Sequence, residues 1–192
     1  MNVTNVAAKR IHQRDVSRGF SYWHDMMRRT SGSNRTKSAA YEAVYVCDEW
    51  KDFERFAEWF VQQPRLEGWV LDKDLLSPCH AKVYSPGTCC FLPRELNQML
   101  VSSRKDSNGM PGVCFSKGKY AARVKVRNRR LHIGTFSTAE DALCAYFAAK
   151  TGFLSIEADA YKGDLHPDAY AALKGYNFRA ALDKSTEGAS HE

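Results

Sequence analysis

An α+β fold is predicted for this chain of 192 residues: a helical N-terminal region with a ββα unit, then a three-stranded antiparallel sheet packed on a helix. Three observations carry that expectation. Between Lys117 and Arg130 seven cationic residues and no acidic one lie over a two-residue alternation. Because successive strand side chains alternate faces, Tyr120, Ala122, Val124 and Val126 point one way and Ala121, Arg123, Lys125 and Arg127 the other. Upstream, Trp50, Phe53, Phe56, Ala57 and Phe60 recur at the spacing of an amphipathic helix. Between the two patterns, residues 102–111 (SSRKDSNGMP) are polar and punctuated by Gly and Pro, the composition of an interdomain linker.

The elements follow in order. Residues 1–18 are polar and mixed in charge, while Tyr22, Trp23, Met26 and Met27 make a helical apolar stripe ending before Thr30. TSGSNRTKS reads as a loop, and Ala43 to Cys47 as extended chain leading into the aromatic helix, which Pro64 ends. Gly68 to Asp72 reads as a strand, 74–83 as a loop, Cys89 to Leu92 as a second strand, and Arg94 to Val101 as a helix whose first turn tolerates Pro93. Beyond the linker, strands are expected near Val113 to Phe115, Tyr120 to Val126 and Arg130 to Phe136, with Leu131 and Ile133 inward and Arg130 and His132 outward. A helix follows, with Thr138 as its N-cap and Glu140 and Asp141 in its first turn. Its stripe of Ala142, Ala145, Tyr146 and Ala149 lets it lie close on the sheet, and one further helix is expected around Tyr170 to Phe178. The resulting division is 1–101 for the first domain, 102–111 for the linker, 112–182 for the second domain and 183–192 for a disordered tail.

Composition narrows the function classes. With 44% apolar residues the chain can bury one or two modest cores, and it lacks the profile of a disordered protein. The formal charge of +6 attracts polyanions, and cations ordered on one sheet face predict a docking surface rather than diffuse attraction. No apolar run reaches the roughly 18 residues of a membrane span, and residues 1–14 have no apolar h-region, so a soluble, unexported protein with no membrane partner is expected. The six cysteines are expected to be reduced. Zinc is not expected: Cys47, Cys79, His80 and Cys89 are suitable ligand types, but no C-x-x-C pair nucleates a site.

The stretch GVCFSKGKYAARVKVRNRRLHIGTFSTAEDALCAYFAAK, residues 112–150, resembles an AP2 DNA-binding domain, known from plant transcription factors and from phage or mobile-element proteins. The resemblance rests on Gly112-Val113, the pattern of the second strand, Gly134-Thr135-Phe136, and Thr138 to Ala142 leading to Ala145-Tyr146. It implies a sheet that enters the major groove of duplex DNA with the helix behind it. Carried across by position, it places Lys117, Arg123, Lys125, Arg130 and His132 on the DNA face, to which the strand alternation adds Arg127. Arginine suits bidentate contacts to guanine, which favours Arg123 and Arg130 as base readers, while lysine more often neutralises phosphate. Where plant members carry arginine or tryptophan this chain has Cys114, Lys117 and His132, and Arg123 replaces an acid, so base preference does not transfer.

The run VCDEWKDFERFAEWF, followed by WVLDKDLL and VYSPGTCCFLPRELNQML, is similar to the HNH nuclease-like region of phage proteins that carry an AP2 domain. That resemblance implies a ββα metal unit in which a divalent cation and a histidine base activate water for attack on phosphorus. By register Asp72 and Asn97 fall at the metal-ligand positions, for Mg²⁺ or another divalent cation. Lys73 stands where the base histidine is expected, and Thr88 where an asparagine would orient it. Lysine is a poor base at neutral pH unless burial or neighbouring cations depress its pKa, so Asp74 and His80 are alternative bases.

Two function classes follow. One is a phage HNH-type metal-dependent endonuclease acting on double-stranded DNA, cytoplasmic in an infected bacterial host. The other is a catalytically inactive DNA-binding regulator or anti-host factor that keeps the HNH-like unit as a scaffold. Nothing in the chain specifies a host protein partner. An RNA-binding module is disfavoured because no Gly-aromatic RNA-binding signature is present.

Overall fold

The computed structural model describes residues 13–31, 44–77, 82–101, 110–127 and 129–187. His80, Cys79 and most of the expected linker lie outside the described residues. In chain order the first elements are α1 (Gln13–Thr30), β1 (Tyr45–Val46), a 3-10 turn (Asp48–Lys51), α2 (Phe53–Gln62), β2 (Val70–Asp72), β3 (Val83–Tyr84), β4 (Cys90–Leu92) and α3 (Arg94–Leu100). There follow β5 (Val113–Ser116), β6 (Lys119–Val126), β7 (Arg129–Phe136), α4 (Ala139–Ala160), α5 (Pro167–Lys174) and α6 (Phe178–Glu187). The fold is therefore α+β. No helix of the described residues is long and apolar enough to cross a membrane.

The chain divides into two compact units, Met1–Pro64 with Lys73–Cys90, and Arg65–Asp72 with Phe91–Glu192. The sequence predicts one domain over residues 1–101, whereas β2 and α3 pack with the C-terminal unit. The reason is visible in α3, whose Leu96 and Met99 are buried and which packs against α4.

The first unit is built on aromatic packing. Trp50, Phe56 and Phe60 are buried, each such side chain contributing roughly 1.5–3 kcal/mol. Trp50 meets Phe56 edge-on at 5.0 Å and Trp59 at 4.6 Å between ring centroids. Helix α1 begins at Gln13, earlier than the apolar stripe alone suggests. It closes on α2 at Gly19, where a Cβ would come within 3.1 Å of the Phe60 ring, and Trp23 Nε1 donates to Trp50 O at 2.8 Å. Asp52 caps α2 by accepting from Glu54 N at 2.7 Å. The expected loop 74–83 ends in β3, which pairs parallel with β1 through Tyr45↔Val83 and Val46↔Tyr84.

In the second unit β5, β6 and β7 form an antiparallel sheet in that order, and α4 lies across one face. Thr138 caps α4 as expected: its Oγ1 accepts from Asp141 N at 3.1 Å and donates to Asp141 Oδ2 at 2.6 Å. Helix α4 contributes buried Ala142, Leu143, Tyr146 and Leu154 against buried Val113, Ala122 and Val124 of the sheet. In place of the one expected C-terminal helix there are two, because Gly175 ends α5 and Asn177 Oδ1 starts α6 by accepting from Arg179 N and Ala180 N. The expected tail from residue 183 is helical to Glu187.

Candidate nucleic-acid interface

The geometry of the sheet decides which cations share a face. Across β6 and β7 the partners are Arg123↔His132, Val124↔Leu131 and Lys125↔Arg130, after a register shift at Ala122/Arg123. The shift leaves Ile133 without a partner on β6, the signature of a β-bulge. Since cross-strand partners share a face, Arg123, His132, Lys125 and Arg130 stand together on the side opposite α4, and all four are exposed. The bulge is what keeps His132 and Arg130 on that side. Leu131 takes the helix side, as expected, while Ile133 falls out of the simple alternation. Thr135 belongs to the outward face as well, and its Oγ1 lies 3.3 Å from His132 Nε2.

Lys117 and Arg127 are placed differently from the sequence expectation. Lys117 and Gly118 have φ of +51° and +74° and form the tip of the β5–β6 hairpin, closed by Ser116↔Lys119. Positive φ at both central residues is what a tight two-residue hairpin with strand-compatible twist requires. Lys117 thus extends the cationic surface from the hairpin tip, not from the strand face. Arg127 follows β6 with φ +45°, which ends the alternation, and its Nη2 donates to Glu157 Oε2 of α4 at 2.8 Å. It is committed to the helix side, away from the four outward cations.

The candidate metal ligands both lie in the second unit. Asp72, at the end of β2, is buried, and Asn97 is half-buried on α3, which packs on β2. Among the described residues no group of three or more His, Cys, Asp or Glu side chains is gathered to hold a metal.

The candidate bases Lys73 and Asp74 lie in the first unit, the division falling between Asp72 and Lys73. Lys73 Nζ donates to Asp74 Oδ1 at 2.5 Å and sits 5.9 Å from the centroid of the Tyr84 ring. The two residues are thus paired with each other. Thr88 fastens the turn after β3, where its Oγ1 donates to Val83 O at 2.8 Å and accepts from Ser85 N at 3.1 Å.

Sequence reasoning missed Lys150. It sits on the buried stripe of α4 between Tyr146 and Leu154, where helical spacing demands an apolar side chain, and that mismatch is the signal that could have found it. Its Nζ donates to Val101 O at 3.2 Å and lies 4.2 Å from the centroid of Phe178. Burial pushes its pKa down from the usual 10.5 to about 8. No protein-family model, curated protein or solved structure matches the chain.

Proposed function

We propose that this protein binds duplex DNA by laying the outward face of β5–β7 in the major groove, as an AP2-like sheet would. The observation that carries the reading is the pairing of Arg123 with His132 and of Lys125 with Arg130. Lys125 and Arg130 are like charges directly opposite one another, an arrangement that costs the free sheet some stability and that a polyanion offsets. Nucleic-acid phosphate supplies that offset and releases condensed counterions in doing so. Arg123 and Arg130 carry the planar forks that suit guanine edges, and Lys125 and the hairpin-tip Lys117 suit phosphate.

The test is duplex affinity of the full chain across a salt series. Neutralising four or so phosphates gives a slope of log K against log salt of roughly −3 to −4. A flat response, or no binding at low salt, rules the reading out.

A second reading, metal-dependent phosphodiester cleavage by an HNH-like unit, is favoured by the packing of the Asp72 strand on the Asn97 helix. A bound Mg²⁺ would offset charge on the leaving oxygen, with Asp72 and Asn97 holding it. Incubation of supercoiled DNA with Mg²⁺, Mn²⁺ or EDTA separates the readings, since cleavage only with metal identifies the nuclease and retarded migration without cleavage identifies the binder.

A further inference from the structure

Behind the sheet, the second unit contains a cleft of about 840 Å³, the size of a small-molecule site. One wall is apolar, made by Met99 and Val101 at the end of α3 and by Val124 of β6. Lys150, whose ammonium donates to the Val101 carbonyl, also lines the cleft, although it is only 6% exposed overall.

Burying an ammonium costs free energy unless a counter-charge meets it. Among the described residues no acid lies within ion-pair distance of Lys150, whose polar contact is the Val101 carbonyl. The other charged or titratable groups of the cleft are accounted for separately. Glu157 is held by Arg127 at 2.8 Å, Glu95 and Tyr161 line the remainder, and Lys125 borders the cleft although the register sets its side chain on the other face of the sheet. Among the described side chains of α6, the Phe178 ring lies under the Lys150 ammonium at 4.2 Å, a cation–π contact. Among the described residues, then, the cleft offers a buried ammonium whose partners are a carbonyl and the face of Phe178 but no carboxylate, beside an apolar wall, and burial lowers its pKa.

We propose that this cleft binds a small organic anion, a carboxylate on an apolar body, with Lys150 as the counter-charge and Met99, Val101 and Val124 against the body. The inference goes beyond the nucleic-acid reading and does not depend on it.

The test titrates the full-length protein with anilinonaphthalene sulfonate, an anion whose fluorescence rises in apolar sites, and then displaces it with benzoate. One saturable, benzoate-sensitive site is expected, weakened about tenfold by Lys150→Met. In the parent, affinity should fall between about pH 7.5 and 9.5 as the amine loses its proton. Gln98→Trp, at an exposed position on the cleft wall, should weaken binding with every charge intact, so it decides the question even if Lys150→Met fails to fold. Unchanged affinity in Gln98→Trp, or affinity that ignores pH over that range, overturns the proposal. So does displacement of the dye by duplex DNA where benzoate is without effect, since the cleft would then belong to the nucleic-acid backbone.

Discussion

At Gly112 the backbone takes φ +68°, and a Cβ there would lie 2.2 Å from Tyr146 Cε2 and 2.8 Å from Arg123 O. One obstacle is a buried ring and the other is backbone, so neither can move aside cheaply. Gly112→Ala should cost more than about 3 kcal/mol, read from urea unfolding, because overpacking and an unfavourable φ add. A change under about 0.5 kcal/mol would mean that Tyr146 does not cover this glycine. Lys150 makes the opposite kind of prediction. Its folded pKa of about 8 lies below the usual 10.5, so between those values the unfolded chain binds more protons and stability gains with rising pH. Below about pH 8 both states are protonated and the folded state carries the full burial penalty. Lys150→Met should therefore stabilise the protein at pH 7 by on the order of 1–2 kcal/mol, a figure discounted for water reaching the cleft. That advantage should shrink as the pH approaches 10, which denaturant melts at several pH values will show.

The elements differ in how far their sequences announce them. Helix α2 and the cap of α4 were legible because each is a local pattern: aromatic spacing in one case, Thr138 with Asp141 in the other. Thr138→Ala should cost about 1 kcal/mol in thermal melts, and Thr138→Ser should restore most of it. Strands β1 and β3 have two residues each and pair in parallel across intervening chain, so neither carries a periodicity to read. The bulge at Ile133 is a property of two strands together and cannot be seen in either alone. Arg127 fits the alternation on paper, but the alternation ends where the backbone turns to positive φ. The basic face was thus legible as a set of cations, while the particular members that share a surface, Arg123, Lys125, Arg130 and His132, required the register. Among these, Arg123→Ala should lose about 1–3 kcal/mol against a preferred duplex and relax preference at one base pair. Lys117→Ala should weaken all duplexes alike and lower the salt slope by about one. Selection from a random duplex library that returns no preferred sequence would reduce the sheet to a phosphate clamp.

For the whole molecule, the two readings of function separate cleanly by variant. Asp72→Ala and Asn97→Ala should each abolish metal-dependent cleavage, if the protein cuts, and leave duplex affinity within about twofold, because in the proposed reading the outward cations supply that affinity. Cleavage at the parent rate in both variants would place any nuclease centre elsewhere in the chain. The division into units has a different consequence. The polypeptide passes from one unit to the other three times, after Pro64, after Asp72 and after Cys90. During synthesis the N-terminal unit cannot be completed when its helices emerge, since β3, the partner of β1, follows a segment that belongs to the other unit. The two units are consequently interlaced in folding order: neither matures as an uninterrupted stretch leaving the ribosome, and a single nick between Pro64 and Arg65 cuts the first unit in two, with Lys73–Cys90 still joined to the second unit at Asp72–Lys73 and Cys90–Phe91 and Met1–Pro64 held to that segment by non-covalent contacts such as the β1–β3 pairing.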